Sequence, residues 1–314
     1  MATASGVREV ITRYGLQAKK KLGQHFLIDG HVLGKIISAA EIGPGDFVLE
    51  IGPGIGGMTQ ALAAVAGHVL AVELDKQLVP VLRLMFAEEK VTVVQGDILR
   101  LDLHQELLEN KLISGAILTP RQSFALQNFA TPLGKGVTPP SQANNLVGGA
   151  IKVVANLPYY ITTPVIFRLL ESGLPFESIT VMIQKEVAAR MGASPGTKDY
   201  GSLTLAVQYH ADVELVANVP TNCFMPRPAV DSAVVKLKLL EKPRVDADKT
   251  QLFDVIHAAF GKRRKTLLNA LDSEGFGGGK SELSATLQQI GIDPRARGET
   301  LDIFQFAKLA RALS

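Results

Sequence analysis

The chain has 314 residues, with 33 Lys and Arg against 30 Asp and Glu, and a formal net charge of +3. At 46% hydrophobic and 20% charged residues it has a globular composition, which excludes a wholly disordered chain, a collagen-like repeat and a supercharged tail. Cys223 is the only cysteine, so no disulfide forms within the chain, and a reducing, cytoplasmic compartment is expected.

In chain order, residues 1–21 carry Arg8, Arg13 and the Lys19-Lys20-Lys21 run without the apolar stretch of a signal peptide. No window holds the ~18 uninterrupted apolar residues of a membrane span, so no membrane role is expected. From Phe47 to about Leu240, short β-branched runs alternate with helical patterns, the signature of crossover units that build a mainly parallel sheet. The expected strands are Phe47–Ile51, His68–Glu73, Val91–Gly96, Ile151–Ala155 and Ser178–Gln184. Two later runs, Val213–Val219 and Ala233–Leu239, look like antiparallel edge strands; in the second, Lys236 and Lys238 alternate with Val235, Leu237 and Leu239. From Lys242 the pattern turns helical, at about Lys249–Phe260, Lys265–Asp272, Ser281–Ile290 and Leu301–Leu313. The expected fold is therefore α/β, a Rossmann-like doubly wound sheet over residues 1–241 with a small all-helical domain over 242–314. The crossover between Asp97 and Ile151 is longer than one helix and two loops require, and an insertion, a poorly ordered surface segment, is expected at 112–149.

The strand Phe47–Ile51 opens into Gly52-Pro53-Gly54-Ile55-Gly56-Gly57, where the backbone can turn tightly and approach a ligand at a helix N-terminus. Gly52, Gly54 and Gly57 satisfy a dinucleotide pattern, so the loop alone separates neither NAD nor S-adenosylmethionine from the other. Glu73 ends the next strand, roughly twenty residues on, where a carboxylate accepts hydrogen bonds from ribose hydroxyls. Asp75 is expected to start the following helix. Asp97, after the third strand, could accept from an adenine amino group or cap the next turn.

Asn156-Leu157-Pro158-Tyr159-Tyr160 separates these alternatives. A base amino group is a weak nucleophile because its lone pair is delocalised into the ring. Two acceptors, the Asn156 side-chain oxygen and the Leu157 carbonyl, can hold both amino hydrogens and turn the lone pair toward an electrophilic methyl. Pro158 fixes the turn and Tyr159 can stack on the base. Hydride transfer needs no such group.

Gly23-Gln24-His25-Phe26-Leu27, Glu50–Gly54, Val72–Asp75, Gly96–Ile98, Asn156–Tyr160, Phe224–Ser232 and Arg263–Leu267, in that order, resemble the small-subunit ribosomal RNA adenine dimethyltransferases. The resemblance implies an enzyme that places two methyls on N6 of each of two adjacent adenines near the 3′ end of small-subunit (16S) rRNA. It implies S-adenosylmethionine contacts at His25, Leu27, Gly52, Gly54, Glu73, Asp97 and Asn156, and catalytic roles for Asn156, Leu157, Pro158, Tyr159 and Phe224, with Tyr159 and Phe224 stacking on the target adenine. His25 stands where bacterial relatives commonly have Asn; both side chains can hydrogen-bond. Cations at Lys20, Lys21, Arg227, Lys262, Arg263, Arg264 and Lys265 are candidate phosphate contacts. A partly assembled 30S-type subunit is the expected partner, a monomer the expected state, and no metal is expected, since the His and Cys show no ligand spacing.

Overall fold

A computed structural model of the chain describes residues 2–87, 90–110, 149–262 and 264–313. The expected insertion at 112–149, apart from Gly149, lies outside the described residues, as do Arg263 and the side chain of Lys20.

The chain divides into two compact units, one of residues 1–188 and 214–241, the other of 189–213 and 242–314. The second unit thus takes in residues 189–213, which the sequence division at 241 assigns to the first domain. The reason is hydrophobic. Tyr200, Leu205 and Tyr209 belong to one buried cluster with Leu252, Val255, Leu283 and Phe306, partners brought together only by folding.

The strands of the first unit are β1 (Phe26–Leu27), β2 (Phe47–Ile51), β3 (His68–Glu73), β4 (Val91–Gln95), β5 (Ile151–Asn156), β6 (Phe176–Gln184), β7 (Ala211–Val219, which begins in the second unit), β8 (Phe224–Met225) and β9 (Ser232–Leu239). The main sheet has the order β4-β3-β2-β5-β6-β9-β7. The pairs from β4 to β6 are parallel, and β9 is antiparallel to β6. Val48, Leu49, Val153 and Val154 are fully buried, as expected for parallel strands covered on both faces.

The helices of this unit are α1 (Ala4–Arg13), α2 (Gly30–Ala40), α3 (Gly57–Val65), α4 (Leu78–Met85), α5 (Leu103–Glu109), α6 (Thr162–Glu171) and α7 (Lys185–Met191, which ends in the second unit). The second unit holds α8 (Ser202–His210), α9 (Lys249–Gly261), α10 (Leu267–Asp272), α11 (Lys280–Gln289) and α12 (Ile303–Ala312). Side-chain caps set several starts: Asp29 accepts from His31 and Val32 at α2, Thr266 from Asn269 at α10, and Asp302 from Gln305 at α12.

Two features place the functional edge. From β2 the chain runs to β3 on one side, while β5 lies on the other, so the strand order reverses between β2 and β5; ligands of open α/β sheets bind beyond the carboxyl ends there. The register pairs Ile51 with Ala155, so the glycine turn and the Asn156 turn leave the sheet at the same level. Separately, β1 and β8 form a two-stranded antiparallel sheet, Phe26 opposite Met225 and Leu27 opposite Phe224. This joins two motifs that lie far apart in the chain.

Candidate active site

A cleft of about 1210 Å³, counting its open mouth, runs over the carboxyl ends of β2, β3, β4 and β5. Its walls include His25, Leu27, Gly52, Gly54, Glu73, Asp97 and Asn156, together with Leu157, Pro158, Tyr159 and Phe224.

The glycine turn is built on left-handed backbone, with φ of +69° at Gly52, +58° at Gly54 and +84° at Gly56. A Cβ on Gly54 would lie 3.1 Å from the Phe26 ring, and one on Gly56 would lie 2.8 Å from the Phe86 ring. Gly57, which the dinucleotide pattern singles out, has open space at its Cβ position, so the sterically demanding third glycine is Gly56.

Glu73 is buried, and both its oxygens are held by the backbone: Oε2 accepts from Gly54 N at 3.1 Å and Oε1 from Asp75 N at 2.8 Å. Burial raises its pKa, and these amides offset only part of that rise. Asp75 is more than the helix start expected of it. Its carboxylate accepts from Gln77 N, and it also takes Lys19 Nζ at 2.6 Å and Gln24 Nε2 at 3.1 Å. Burial would raise its pKa, but the Lys19 ammonium and the two other donors hold it below the ordinary value. The pair therefore ties the segment carrying His25 to β3, and Lys19 is spent in doing so. Asp97 lines the cleft while its Oδ1 accepts from Leu99 N at 3.0 Å, so it caps the turn after β4 as well.

On the opposite wall, Asn156 Nδ2 donates to the His25 carbonyl at 2.9 Å. That bond fixes the amide with Oδ1 as the remaining acceptor. Among the described residues, neither Asn156 Oδ1 nor the Leu157 carbonyl accepts a hydrogen bond, while Leu157 N donates to Met182 O at 3.1 Å. Tyr159 is half-buried; its hydroxyl lies 2.8 Å from Ser232 Oγ, and its ring is stacked with His25 at 6.0 Å between centroids. His25 Nδ1 lies 2.8 Å from the Pro226 carbonyl. Phe224, for which the resemblance implies stacking on the base, borders the cleft but is 2% exposed and packs in the core with Val32 and Ile36, its strand β8 paired with β1.

Sequence reasoning passed over Glu50. Its side chain is fully buried in β2 in the cleft wall, and among the described residues neither of its oxygens nor the Thr59 hydroxyl that faces it has a partner at hydrogen-bonding geometry. Burial, with the Glu73 charge adding to it, pushes its pKa up to about 8. The charge within an otherwise apolar strand was the available signal.

Among the described residues the cleft lining contains Glu50, Glu73 and Asp97 but no Lys or Arg. A dianionic pyrophosphate would meet acidic walls there. A ligand carrying a sulfonium and an ammonium is the better electrostatic match, and the orphaned Glu50 carboxyl is the type of group such a cation satisfies. The residues present thus fit S-adenosylmethionine.

A family model described as "Ribosomal RNA adenine dimethylase" matches residues 15–312. The chain belongs to that family. It is 47% identical over 306 residues to the "Ribosomal RNA small subunit methyltransferase A" of Lachnoclostridium phytofermentans, covering 96% of this chain and 93% of that one. The protein of the same name from Bacillus mycoides is 43% identical over 317 residues, covering 100% and 97%. Among solved structures, a dimethyladenosine transferase from Plasmodium falciparum superposes with a TM-score of 0.66 at 26% identity, covering 91% of this chain and 96% of that one. The 23S rRNA methyltransferase ErmE shares the fold, with a TM-score of 0.61 at 24% identity over 92% and 99% of the two chains. The protein is an S-adenosylmethionine-dependent rRNA adenine dimethyltransferase, and rRNA is its substrate.

The cations proposed for RNA divide by accessibility. Lys21, Arg227, Arg264 and Lys265 are exposed, whereas Lys262 is engaged by Ser273 at 2.7 Å and Glu274 at 3.1 Å. Among the described residues no helix is long and apolar enough to cross a membrane.

Proposed function

We propose that this adenine dimethyltransferase modifies N6 of two adjacent adenines near the 3′ end of 16S rRNA, acting as a cytoplasmic monomer on a partly assembled small subunit and so contributing to ribosome biogenesis. The observation that carries the reading is the fixed amide: Nδ2 of Asn156 is committed to the His25 carbonyl, and among the described residues neither Oδ1 nor the carbonyl of the next residue, Leu157, accepts a hydrogen bond.

When bound, S-adenosylmethionine supplies an electrophilic methyl. The residues on the β2, β3 and β4 side hold the donor. Gly52 and Gly54 let the backbone come close, Glu73 presents a carboxylate to ribose hydroxyls, and Asp97 accepts from the adenine amino group. His25 and Leu27 close the cleft from the N-terminal segment.

On the other side, Asn156 Oδ1 and the Leu157 carbonyl accept the two N6 hydrogens, which turns the nitrogen lone pair out of the ring and toward the donor. Pro158 holds that carbonyl in place, and Tyr159 offers its ring, positioned by Ser232, to the flipped base. Phe224 supports this wall from the core. The amino group's proton leaves to solvent after transfer, so no dedicated base is required. Lys20, Lys21, Arg227 and the Lys262–Lys265 cluster contact phosphates, and the helical unit 242–314 serves as an RNA-binding domain. Shape and an unstacked adenine, rather than phosphate contacts, select the site.

The test is transfer of radiolabelled methyl groups to small subunits lacking the modification, followed by nucleoside analysis. N6,N6-dimethyladenosine at two neighbouring positions is the expected product; label in any other nucleoside overturns the assignment.

A further inference from the structure

Adjacent tyrosines on one short turn meet opposite fates. Tyr159 is half-buried, its hydroxyl engaged by Ser232. Tyr160 is 58% exposed, and its side chain makes no hydrogen bond among the described residues. Its ring is nonetheless not adrift. It lies over Gly23, where an added Cβ would stand 3.5 Å from two ring carbons of Tyr160 and 3.4 Å from Pro158 Cβ. These are ordinary contact distances, so the ring packs against the loop that precedes His25, a loop whose Gly23 adopts a φ of +60°.

Of the large hydrophobic side chains that stand exposed, Leu84, Leu215, Val230 and Phe304 do not line the cleft, whereas Leu74 and Tyr160 do. Leu74 adjoins Glu73 on the donor side. Tyr160 adjoins the Asn156–Pro158 turn on the acceptor side. The other aromatics of the acceptor wall are otherwise committed: Phe224 is 2% and Phe26 8% exposed, and Tyr159, half-buried and stacked on one side with His25, is the ring given to the target base itself.

An exposed aromatic at the mouth of a cleft that must receive a flipped base has a specific use. Flipping the target out of its strand removes one face of stacking from the neighbouring nucleotide, and aromatic–base stacking is tolerant of base identity. We propose that Tyr160 is a positioning residue that stacks on the nucleobase next to the target adenine, holding the strand while that adenine occupies the Asn156–Leu157 clamp. The proposal rests on the adenine-methylating function and deepens it.

The experiment compares full-length wild type, Tyr160→Phe and Tyr160→Ala. Methyl transfer to unmodified small subunits gives kcat and KM, calorimetry gives S-adenosylmethionine affinity, and a short single-stranded RNA with 2-aminopurine beside the target adenine reports stacking by fluorescence. Tyr160→Ala should raise KM for RNA roughly tenfold, relieve the 2-aminopurine quenching, and leave cofactor affinity and Tm unchanged. Tyr160→Phe should behave as wild type. Unchanged KM and quenching in Tyr160→Ala overturn the proposal, as does an equal loss in both variants, which would assign the effect to the hydroxyl. Wild type that binds the cofactor but methylates no rRNA overturns the function itself and the proposal with it.

Discussion

The two walls of the cleft are built on opposite principles. On the wall proposed for the methyl donor most polar groups already have protein partners: Glu73 accepts from two backbone amides and Asp97 from Leu99, Glu50 being the exception among the described residues. On the wall proposed for the acceptor, Asn156 donates with Nδ2, and among the described residues neither its Oδ1 nor the Leu157 carbonyl accepts a hydrogen bond. On the proposed assignment the first wall seats the cofactor with groups fixed by the protein, and the second offers two acceptors to one amino group. Preorganisation of both kinds accelerates a reaction whose donor is intrinsically reactive, since what remains for the protein is position.

The comparison can be broken most severely at Asn156. Asn156→Ala should lower methyl transfer by more than about a hundredfold while S-adenosylmethionine affinity, measured by calorimetry, falls far less; equal losses in both would mean the amide serves only the donor. Next comes the glycine turn. Gly56→Ala forces a Cβ against Phe86 and a positive φ on alanine, and should cost about 2 kcal/mol in denaturant unfolding. Gly57→Ala, with open space, should be close to neutral.

Glu50 sharpens the donor side through pH. Its folded pKa lies near 8 against 4.5 for the ordinary group, so between those values the unfolded chain has released a proton that the folded one keeps. Stability without cofactor should therefore decline as pH rises from about 4.5 toward 8, and Glu50→Gln should flatten that decline in thermal unfolding across the same range. The same variant should weaken S-adenosylmethionine binding, because the carboxylate that a bound cation would favour is gone. The smallest effect belongs to the exposed cations. Arg264→Ala should weaken rRNA binding about equally for all sequences and reduce the salt slope by about one.

Much of this was legible before folding. The strands His68–Glu73 and Phe47–Ile51 coincide with the expected ones, because continuous apolar runs bounded by Gly, Asp or Glu have few other uses. Helices α9 to α12 fall within two residues of their expected ends, since periodic apolar faces and capping residues are local signals. Harder to read were α7 and α8, whose residues the sequence pattern left unassigned, and the affiliation of residues 189–213, which depends on a core cluster with distant helices.

The amino-acid sequence by itself determined the order of the crossover units, the glycine turn, the two carboxylates at strand ends and the amide-carbonyl motif, all short-range patterns tied to backbone geometry. Only the tertiary structure decided which atoms remain available. The Asn156–His25 bond commits one amide nitrogen, Phe224 is buried in a strand paired with β1, the Gly23 loop comes against Tyr160, and the packing around β2 leaves Glu50 without a hydrogen-bond partner among the described residues. Availability is a property of contacts between residues far apart in the chain, and no local pattern encodes it.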